Sequence, residues 1–370
     1  MTYSAIEKLA VAGVQQLIPY KAGKPIEELE RELGLRSIIK LASNENPLGP
    51  SPKALQAMTA SMSSLALYPD GSGFQLKRAL AAKFAVDSQQ ITLGNGSNEL
   101  LELVARAFLT ADNEVVISQH AFAVYALVTQ AIGAVAKLVP AQDYGHDLIA
   151  MRNAITPKTR LVFIANPNNP TGTLLSQEAL QAFIAALPSH VLCVLDEAYF
   201  EFVMQTQLIN SLEWLTLYPN LIITRTFSKA YGLAGLRIGY SFSSVAVADI
   251  LNRVREPFNN NTLALVAAQA ALDDTEHLVN TIATNQRGMQ QLTSGFDRLG
   301  LTWIPSAGNF VAVDLRCDAL PMYNALLAQG VIVRPVANYE LPTFLRISVG
   351  TEAENAHFLH ALSACLDNVF

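Results

Sequence analysis

The sequence predicts an α/β fold, with a large domain built on a mostly parallel sheet covered by helices on both faces and a smaller α+β domain. Short β-branched runs alternate with helical patterns through the middle of the chain. These runs are apolar throughout, as is typical of strands covered on both faces. After about residue 257 the order of the patterns changes to two helices followed by short strands. Strand–helix alternation over this length indicates parallel pairing.

The predicted elements of the large domain follow from these periods. Its strands are 91–93, 115–117, 135–139, 161–165, 191–195, 221–226 and 236–240. Its helices are 52–64, 98–108, 122–132 and 178–187.

After about residue 257, the predicted elements are helices 262–272, 277–299 and 351–366 and strands 310–315, 331–333 and 344–349, an order typical of an α+β domain. Thr351 and Glu354 form a capping box at the start of the last helix. We expect an N-terminal arm or small-domain segment at 1–45, a large domain at 46–270 and a small domain at 271–370.

Composition restricts the class of protein. The 370 residues include 25 Lys plus Arg and 31 Asp plus Glu, a net charge of −6, without a basic cluster of the kind that binds nucleic acid. No apolar run is long enough to span a membrane, no signal peptide is visible, and three scattered cysteines suit a reducing compartment. Only 15% of the residues are charged, against about 25% in ordinary soluble chains. We therefore expect a cytoplasmic enzyme that hides apolar surface in an oligomer.

The segment T-F-S-K-A-Y-G-L-A-G-L-R at 226–237 follows a predicted buried strand and carries Lys229. A lysine at the carboxyl edge of a buried sheet is partly desolvated, which lowers the pKa of its amine and allows it to form a Schiff base. Ser228 and Arg237 offer a hydroxyl and a planar fork to a phosphate group. An ordinary lysine on a surface loop is the alternative.

Asp196 and Tyr199 lie in the segment D-E-A-Y, directly after another predicted strand. A carboxylate at this position pairs with a buried cation or caps the next helix. A cofactor with a protonated ring nitrogen would supply such a cation, and Tyr199 could face the same side.

Two polar turns follow further predicted strands. The loop N-P-N-N-P-T-G at 166–172 is rigid, and Asn168 offers an amide donor there. The turn G-N-G-S-N-E at 94–99 leads into a helix, whose first N–H groups can bind phosphate. Each signal is weak alone, because the first is an ordinary turn pattern and the second matches neither a P-loop nor a dinucleotide fingerprint.

The four segments together predict one site, because ligands of open α/β sheets bind beyond the carboxyl ends of the strands. They offer a Schiff-base lysine, a carboxylate for a ring nitrogen, donors for a ring oxygen and a phosphate cup. Pyridoxal 5′-phosphate requires these features.

The order of the motifs N-P-N-N-P-T-G, D-E-A-Y and S-K-A-Y-G-L-A-G-L-R resembles that of the fold type I pyridoxal-phosphate aminotransferases. Further segments are similar to those of histidinol-phosphate aminotransferases, in class II: L-A-S-N-E-N-P-L-G at 41–49, Y-P-D-G at 68–71, G-N-F at 308–310 and L-R-I-S-V-G at 345–350. The resemblance implies a homodimeric transaminase with a shared active site. It would convert histidinol phosphate and 2-oxoglutarate to imidazole acetol phosphate and glutamate in histidine biosynthesis.

The resemblance also implies residue roles. Lys229 would bind the cofactor covalently and then move the proton, Asp196 would pair with the ring nitrogen, and Tyr199 and Asn168 would hydrogen-bond the ring oxygen. The other implied cofactor contacts are Ser228, Arg237, Ser97 and Asn98 at the phosphate, Phe122 stacked on the ring in place of a common Tyr, and Tyr68 from the partner subunit.

Arg346 matches the arginine that binds a substrate carboxylate, and Arg334 would join it at the substrate's phosphate. Tyr20 and Asn309 would line the same pocket. Two arginines suit histidinol phosphate, which carries a dianionic phosphate and no carboxylate, and a lysine would lack the planar fork. No metal is expected.

Three alternatives remain open on the same scaffold. An aminotransferase for aromatic or other amino acids would favour phenylalanine or tyrosine. A pyridoxal-phosphate lyase or decarboxylase would release its product without a keto acid. A non-catalytic cofactor-binding module, such as the sensor of a regulator, would bind the cofactor without converting a substrate.

Overall fold

The computed structural model describes residues 6–19, 23–35 and 37–369, with side chains described as far as 366. The strands are β1 (Ile39–Lys40), β2 (Ile91–Gly94), β3 (Glu114–Ser118), β4 (Val135–Val139), β5 (Thr159–Ala165), β6 (Leu192–Asp196), β7 (Leu221–Thr226), β8 (Gly239–Ser243), β9 (Thr302–Ile304), β10 (Phe310–Asp314), β11 (Val331–Ile332), β12 (Arg334–Val336) and β13 (Leu341–Ser348). The helices are α1 (Ala12–Gln15), α2 (Ile26–Leu33), α3 (Pro52–Ser61), α4 (Phe74–Phe84), α5 (Ser97–Phe108), α6 (Val124–Ile132), α7 (Leu148–Asn153), α8 (Gln177–Ala185), α9 (Val245–Val254), α10 (Thr262–Leu272), α11 (Thr275–Arg298), α12 (Ala319–Ala328) and α13 (Glu352–Val369).

The central sheet has seven strands in the order β2-β8-β7-β6-β5-β3-β4. Strand β8 runs antiparallel to both its neighbours, and the other neighbouring pairs are parallel. The carboxyl ends of β2, β3, β5, β6 and β7 therefore meet at one edge of the sheet. This arrangement confirms the predicted fold class.

Both faces of this sheet are covered. Alternate residues of β5 enter different hydrophobic clusters: Val162 and Ile164 pack in one with α8 and α10, and Leu161 and Phe163 pack in the other with α5 and α9. The alternation follows from the two-residue period of a strand. The central strands are apolar throughout because each face is a core.

Strand β4 departs from the prediction that every strand is covered on both faces. It forms the edge of the sheet, and Val135 and Leu138 are 54% and 58% exposed. An apolar run alone does not distinguish a central strand from an edge strand, so this part of the prediction was wrong.

The strand predicted at 236–240 was also misplaced, since β8 begins at Gly239 and Ala234–Leu236 form a single 3₁₀ turn. Arg237 adopts φ +57°, which an extended strand does not allow. The sequence patterns did not reveal the helices α1, α2, α4, α7, α9 and α12 or the short strands β1, β9 and β12. The capping box at Thr351 is confirmed, because Thr351 N donates to Glu354 Oε2 at 2.7 Å and Glu354 N donates to Thr351 Oγ1 at 3.3 Å.

The smaller sheet is antiparallel, in the order β12-β13-β10-β9, and packs against α11, α12 and α13. Strand β1, from the N-terminal region, pairs in parallel with β11. This pairing suits the expectation that part of 1–45 belongs with the small domain, and the exact boundaries stay a prediction. None of the helices in the described ranges is long and apolar enough to cross a bilayer.

Candidate active site

A cavity of about 250 Å³ opens at the carboxyl edge of the central sheet and is closed on its other side by β12 and β13. The structure brings most of the predicted site residues to its wall. They are Lys229, Asp196, Tyr199, Ser228, Arg237, Ser97, Asn98, Phe122, Arg334 and Arg346. Residues from all four sequence segments therefore line one cavity.

Lys229 follows β7 by three residues, and its Nζ donates to the carbonyl oxygen of Ser43 at 2.9 Å. Burial lowers the pKa of its amine to about 7, and the nearby Arg346 cation acts in the same direction. A large fraction of this amine is therefore neutral near neutral pH, which makes it a nucleophile and a base.

Asp196 ends β6 and is 5% exposed. Its Oδ2 accepts from the Tyr125 hydroxyl at 2.7 Å, and its Oδ1 accepts from Thr224 Oγ1 at 3.1 Å and Ala198 N at 3.2 Å. Burial raises the pKa of Asp196, while the hydrogen bonds from Tyr125 and Thr224 oppose the rise. A cationic ring nitrogen against this carboxylate would stabilise its charged form.

The phosphate end of the cavity is built where β2 meets α5. Ser97 and Asn98 begin α5, and Arg237 Nη1 donates to Ser228 Oγ at 3.3 Å. A Cβ on Gly96 would lie 2.3 Å from Arg237 Nη2, and one on Gly239 would lie 2.5 Å from Ser97 N. The two glycines thus let a guanidinium and the start of a helix approach each other, a cradle suited to phosphate.

The aromatic wall consists of Phe122, which lies just before α6, and Tyr125, which lies in the first turn of that helix. Their rings meet edge to face with centroids 5.7 Å apart, and Tyr125 stacks on Phe163 at 4.7 Å. Phe122 lines the cavity, so the predicted aromatic wall is present without a hydroxyl at that position.

Arg334 and Arg346 occupy directly paired positions on the antiparallel strands β12 and β13. Arg346 is 5% exposed, and its Nη1 and Nη2 donate to Asn169 Oδ1 at 2.5 Å and Ala42 O at 2.6 Å. Two like charges directly opposite on a sheet repel each other. An anion between them would relieve that repulsion.

The structure does not bring Asn168 to the cavity. Its Nδ2 donates to Thr171 Oγ1 at 2.8 Å and to His120 O at 3.2 Å. Asn169 lines the cavity instead and contacts Arg346. Neighbouring side chains in an extended loop point to opposite sides, and the sequence offered two adjacent asparagines without showing which faces inward.

Two other predicted residues lie away from the wall of this cavity. Asn309 is buried behind it, and its Nδ2 donates to Asn44 O at 3.0 Å. Tyr68 is 83% exposed and stacks on Phe258 with centroids 4.8 Å apart. Tyr20 lies outside the described residues.

Sequence reasoning missed Asn44, Tyr125, Thr226 and Asn169, all of which line the cavity. Tyr125 lies three residues after Phe122, and in the helix predicted at 122–132 that spacing places both side chains on one face, although Phe122 precedes α6 in the structure. That spacing is the one signal that could have identified it. The strand period could likewise have placed Thr226 beside Thr224.

The residues present fit pyridoxal phosphate on the structure alone. A nucleophilic lysine, a buried carboxylate with neutral donors only, a flat aromatic side chain and a glycine-lined cradle with an arginine surround one cavity. Each feature corresponds to one functional group of that cofactor.

Comparison with known proteins agrees with this geometry. A profile described as aminotransferase class I and II matches residues 36–362. Histidinol-phosphate aminotransferase 2 of Pseudomonas aeruginosa is 59% identical over 97% of this chain and 98% of its own length. The Methylococcus capsulatus enzyme of that name is 56% identical over 98% of this chain and 99% of its own length.

The crystal structure of histidinol-phosphate aminotransferase from Sinorhizobium meliloti in complex with pyridoxal-5′-phosphate superposes with a TM-score of 0.91. It is 32% identical, and the alignment covers 98% of both chains. The chain therefore belongs to the class I and II aminotransferases and, among them, to the histidinol-phosphate aminotransferase family.

Proposed function

We propose that this chain transfers the amino group of histidinol phosphate to 2-oxoglutarate, forming imidazole acetol phosphate and glutamate in histidine biosynthesis, with pyridoxal phosphate as cofactor. The observation that carries the proposal is the pair Arg334 and Arg346, which face one cavity with Lys229 and Asp196. One end of the cavity thus suits the anionic part of a substrate, and the other suits the cofactor.

The chain's own residues would hold the cofactor at defined points. Lys229 would bind it covalently, Asp196 would face its ring nitrogen, Tyr199 and Asn169 its ring oxygen, and Phe122 its ring. Ser228, Arg237 and the α5 start at Ser97 and Asn98 would bind its phosphate. When bound, pyridoxal phosphate supplies an electron-accepting ring that withdraws the electrons released at the substrate's Cα.

Proton transfer belongs to Lys229. Its Nζ, a large fraction of which is neutral near pH 7, accepts the proton of the substrate's Cα and returns it as an ammonium group. Asp196 would carry a negative charge beside the ring nitrogen, because the cationic ring and three neutral donors together stabilise its carboxylate against the effect of burial.

Substrate selection belongs to the arginine pair. Arg334 and Arg346 would bind the phosphate of histidinol phosphate in one half-reaction and the carboxylates of glutamate in the other. A guanidinium offers two parallel N–H donors to either oxyanion, so one pair of side chains serves both substrates.

We further propose that the chain works as a cytoplasmic homodimer and that Tyr68 of each copy reaches the cofactor phosphate of the other. Supporting this, Tyr68 is exposed in the single chain, stacks on exposed Phe258, and is close in sequence to exposed Leu65, Leu67 and Phe74. These side chains offer an apolar surface for a second copy, and no nucleic-acid or membrane partner is proposed.

The experiment is steady-state turnover of histidinol phosphate with 2-oxoglutarate, followed as glutamate, in the wild type and Arg334→Gln. Loss of a charged hydrogen-bond donor costs about 1.5–3 kcal/mol, so KM for histidinol phosphate should rise about 10- to 100-fold. Arg287→Gln, an exposed residue of α11, is the matched control and should leave KM unchanged. An Arg334→Gln enzyme with normal KM would contradict the assignment of the phosphate to this pair.

A further inference from the structure

The motif L-A-S-N-E-N-P-L-G at 41–49 has no role in the function described so far. At its centre, Asn44 is 1% exposed and adopts φ +55°. Asparagine is one of the few residues other than glycine that tolerate this conformation. The backbone alone would accept glycine or aspartate here, so the amide requires a separate reason.

The side chain of Asn44 connects two parts of the site. Its Nδ2 donates to the Tyr199 hydroxyl at 2.9 Å, and its Oδ1 accepts from Ser348 Oγ at 3.0 Å. Ser348 lies in β13, two residues after Arg346. Asn309 secures the same residue from the other side through the carbonyl oxygen of Asn44.

The direction of these bonds follows from proton counting. Ser348 Oγ accepts from the backbone N–H of Asn44 at 2.7 Å, and its single proton is then donated to Oδ1. The amide NH₂ is thereby left for Tyr199, whose oxygen acts as acceptor. The single proton of the Tyr199 hydroxyl must therefore point elsewhere, and the cavity that Tyr199 lines is the open direction.

Burial raises the pKa of Tyr199 to about 12, so its hydroxyl keeps its proton at neutral pH. Tyr199 is thus available as a donor only if no acceptor next to it takes the proton. An amide nitrogen meets that requirement, whereas a carboxylate in the same place would not.

We propose that Asn44 is a positioning residue that turns the Tyr199 hydroxyl into the cavity, toward the cofactor's ring oxygen, and ties that hydroxyl to β13. The inference rests on the proposed function, because it assumes that Tyr199 donates to the ring oxygen. It gives the motif at 41–49 a functional reason, and it places the arginine-bearing strand and a ring-oxygen donor in one hydrogen-bond network.

The test is a double-mutant cycle on the cofactor-loaded enzyme with Asn44→Gly, Tyr199→Phe and both together. The readout is the apparent pKa of the visible absorption band of the lysine-bound cofactor. Donation to a ring oxygen stabilises its anionic form, so losing the donor raises this pKa. One neutral hydrogen bond corresponds to a shift of about 0.5–1 unit.

We expect Asn44→Gly and Tyr199→Phe each to raise the apparent pKa, and the double variant to match Tyr199→Phe alone. The matched control is Asn46→Gly, the other buried asparagine of the motif, which donates to Ala230 O and Thr281 Oγ1. Its effect should add to that of Tyr199→Phe, because it makes no contact with that hydroxyl.

Two outcomes overturn the inference and leave the role of Tyr199 intact. In the first, Asn44→Gly raises the apparent pKa by the same amount in the Tyr199→Phe background as in the wild type. In the second, Tyr199→Phe raises the apparent pKa but Asn44→Gly does not. No shift with Tyr199→Phe itself would instead refute the ring-oxygen role of Tyr199, and the inference with it. Should Asn44→Gly fail to fold, as thermal unfolding would reveal, Asn44→Asp keeps the Ser348 bond and supplies an acceptor to Tyr199. The apparent pKa of the cofactor band in Asn44→Asp should rise at least as far as in Tyr199→Phe, and an unchanged apparent pKa would overturn the inference.

Discussion

The amine of Lys229 acquires its reactivity from its surroundings. Burial and the Arg346 cation both favour the neutral form and lower its pKa to about 7. Only the neutral amine attacks a carbonyl. Capture of pyridoxal phosphate by the cofactor-free enzyme should therefore speed up as pH rises from about 6 to 8 and level off above that range.

Stopped-flow absorbance at a series of pH values measures this profile. Arg346→Gln removes a cation that disfavours the lysine's charge, so its midpoint should lie at higher pH than that of the wild type. A wild-type rate that keeps rising toward the ordinary lysine pKa of about 10.4 would contradict the proposed reactivity of Lys229.

The two asparagines at 168 and 169 are expected to have different roles. Asn169→Ala removes a side chain that lines the cavity and contacts Arg346, so cofactor affinity should fall about three- to tenfold. Asn168→Ala removes bonds to Thr171 and His120, so the free energy of unfolding should fall by about 1–2 kcal/mol.

Equilibrium dialysis of the cofactor and denaturant unfolding, applied to both variants, separate the two effects. A larger loss of cofactor affinity in Asn168→Ala than in Asn169→Ala would instead support Asn168, the residue predicted from the sequence, as the cofactor contact.

At this scale the sequence revealed residues that carry a charge or follow a strand end, such as Lys229, Asp196 and Arg237. It did not reveal Asn44 or Tyr125, because their roles depend on contacts with Tyr199 and Asp196 that are remote along the chain. Side-chain direction within an irregular loop, as at Asn168, has no periodic signal to read.

The turn between β2 and α5 depends on the absence of a side chain at Gly96. That residue has φ +78°, and a Cβ would lie 2.3 Å from Arg237 Nη2. Gly96→Ala should displace the guanidinium from the phosphate cradle and weaken cofactor binding by at least about tenfold, the equivalent of one charged hydrogen bond.

Gly34→Ala is the matched control, because Gly34 has φ +67° but nothing within 4 Å of the Cβ position. It bears the backbone strain without the collision, so cofactor affinity should stay at the wild-type value. Cofactor titration of both variants by absorbance measures the two affinities. Equal cofactor affinities of Gly96→Ala and Gly34→Ala would contradict a role of Gly96 in the phosphate cradle.

Elements were predicted best where the apolar run was continuous. The ends of β5, β6 and β7 lie within two residues of their predicted positions because buried parallel strands have a clear pattern. Strand β8 was misplaced because the left-handed Arg237 interrupts the run. Helix α4, whose residues are of mixed polarity, gave no periodic signal, and tertiary packing against α10 determines its place.

The whole molecule carries an exposed apolar surface that a single chain does not explain. Leu67, Tyr68 and Phe74 are 73%, 83% and 59% exposed, and Arg255 Nη2 holds the nearby turn by donating to Gly71 O at 2.9 Å. The low charge content of the sequence predicted such a surface, though not its place. In the proposed dimer, a second copy covers this surface and Tyr68 reaches the other copy's active site.

Hybrid dimers test this arrangement. We expect Lys229→Ala and Tyr68→Ala each to have little activity as pure dimers. Mixed dimers of the two should regain activity, because one of their sites combines an intact Lys229 with an intact Tyr68 from the other chain. Turnover after mixing, unfolding and refolding measures the recovery. No recovery, despite hybrid formation seen by differently tagged subunits, would place Tyr68 outside the shared site.

The central claim is that the cavity transfers an amino group from histidinol phosphate. Its most direct test is the first half-reaction: the cofactor-loaded enzyme is mixed with histidinol phosphate, phenylalanine or threonine phosphate, and the change to the aminated cofactor is followed by absorbance. We predict that the rate constant of conversion divided by the substrate's dissociation constant is at least about a hundredfold larger for histidinol phosphate than for phenylalanine. A factor of this size corresponds to the binding free energy of one well-bound anion. Faster conversion with phenylalanine, or carbon dioxide released from threonine phosphate, would contradict the claim.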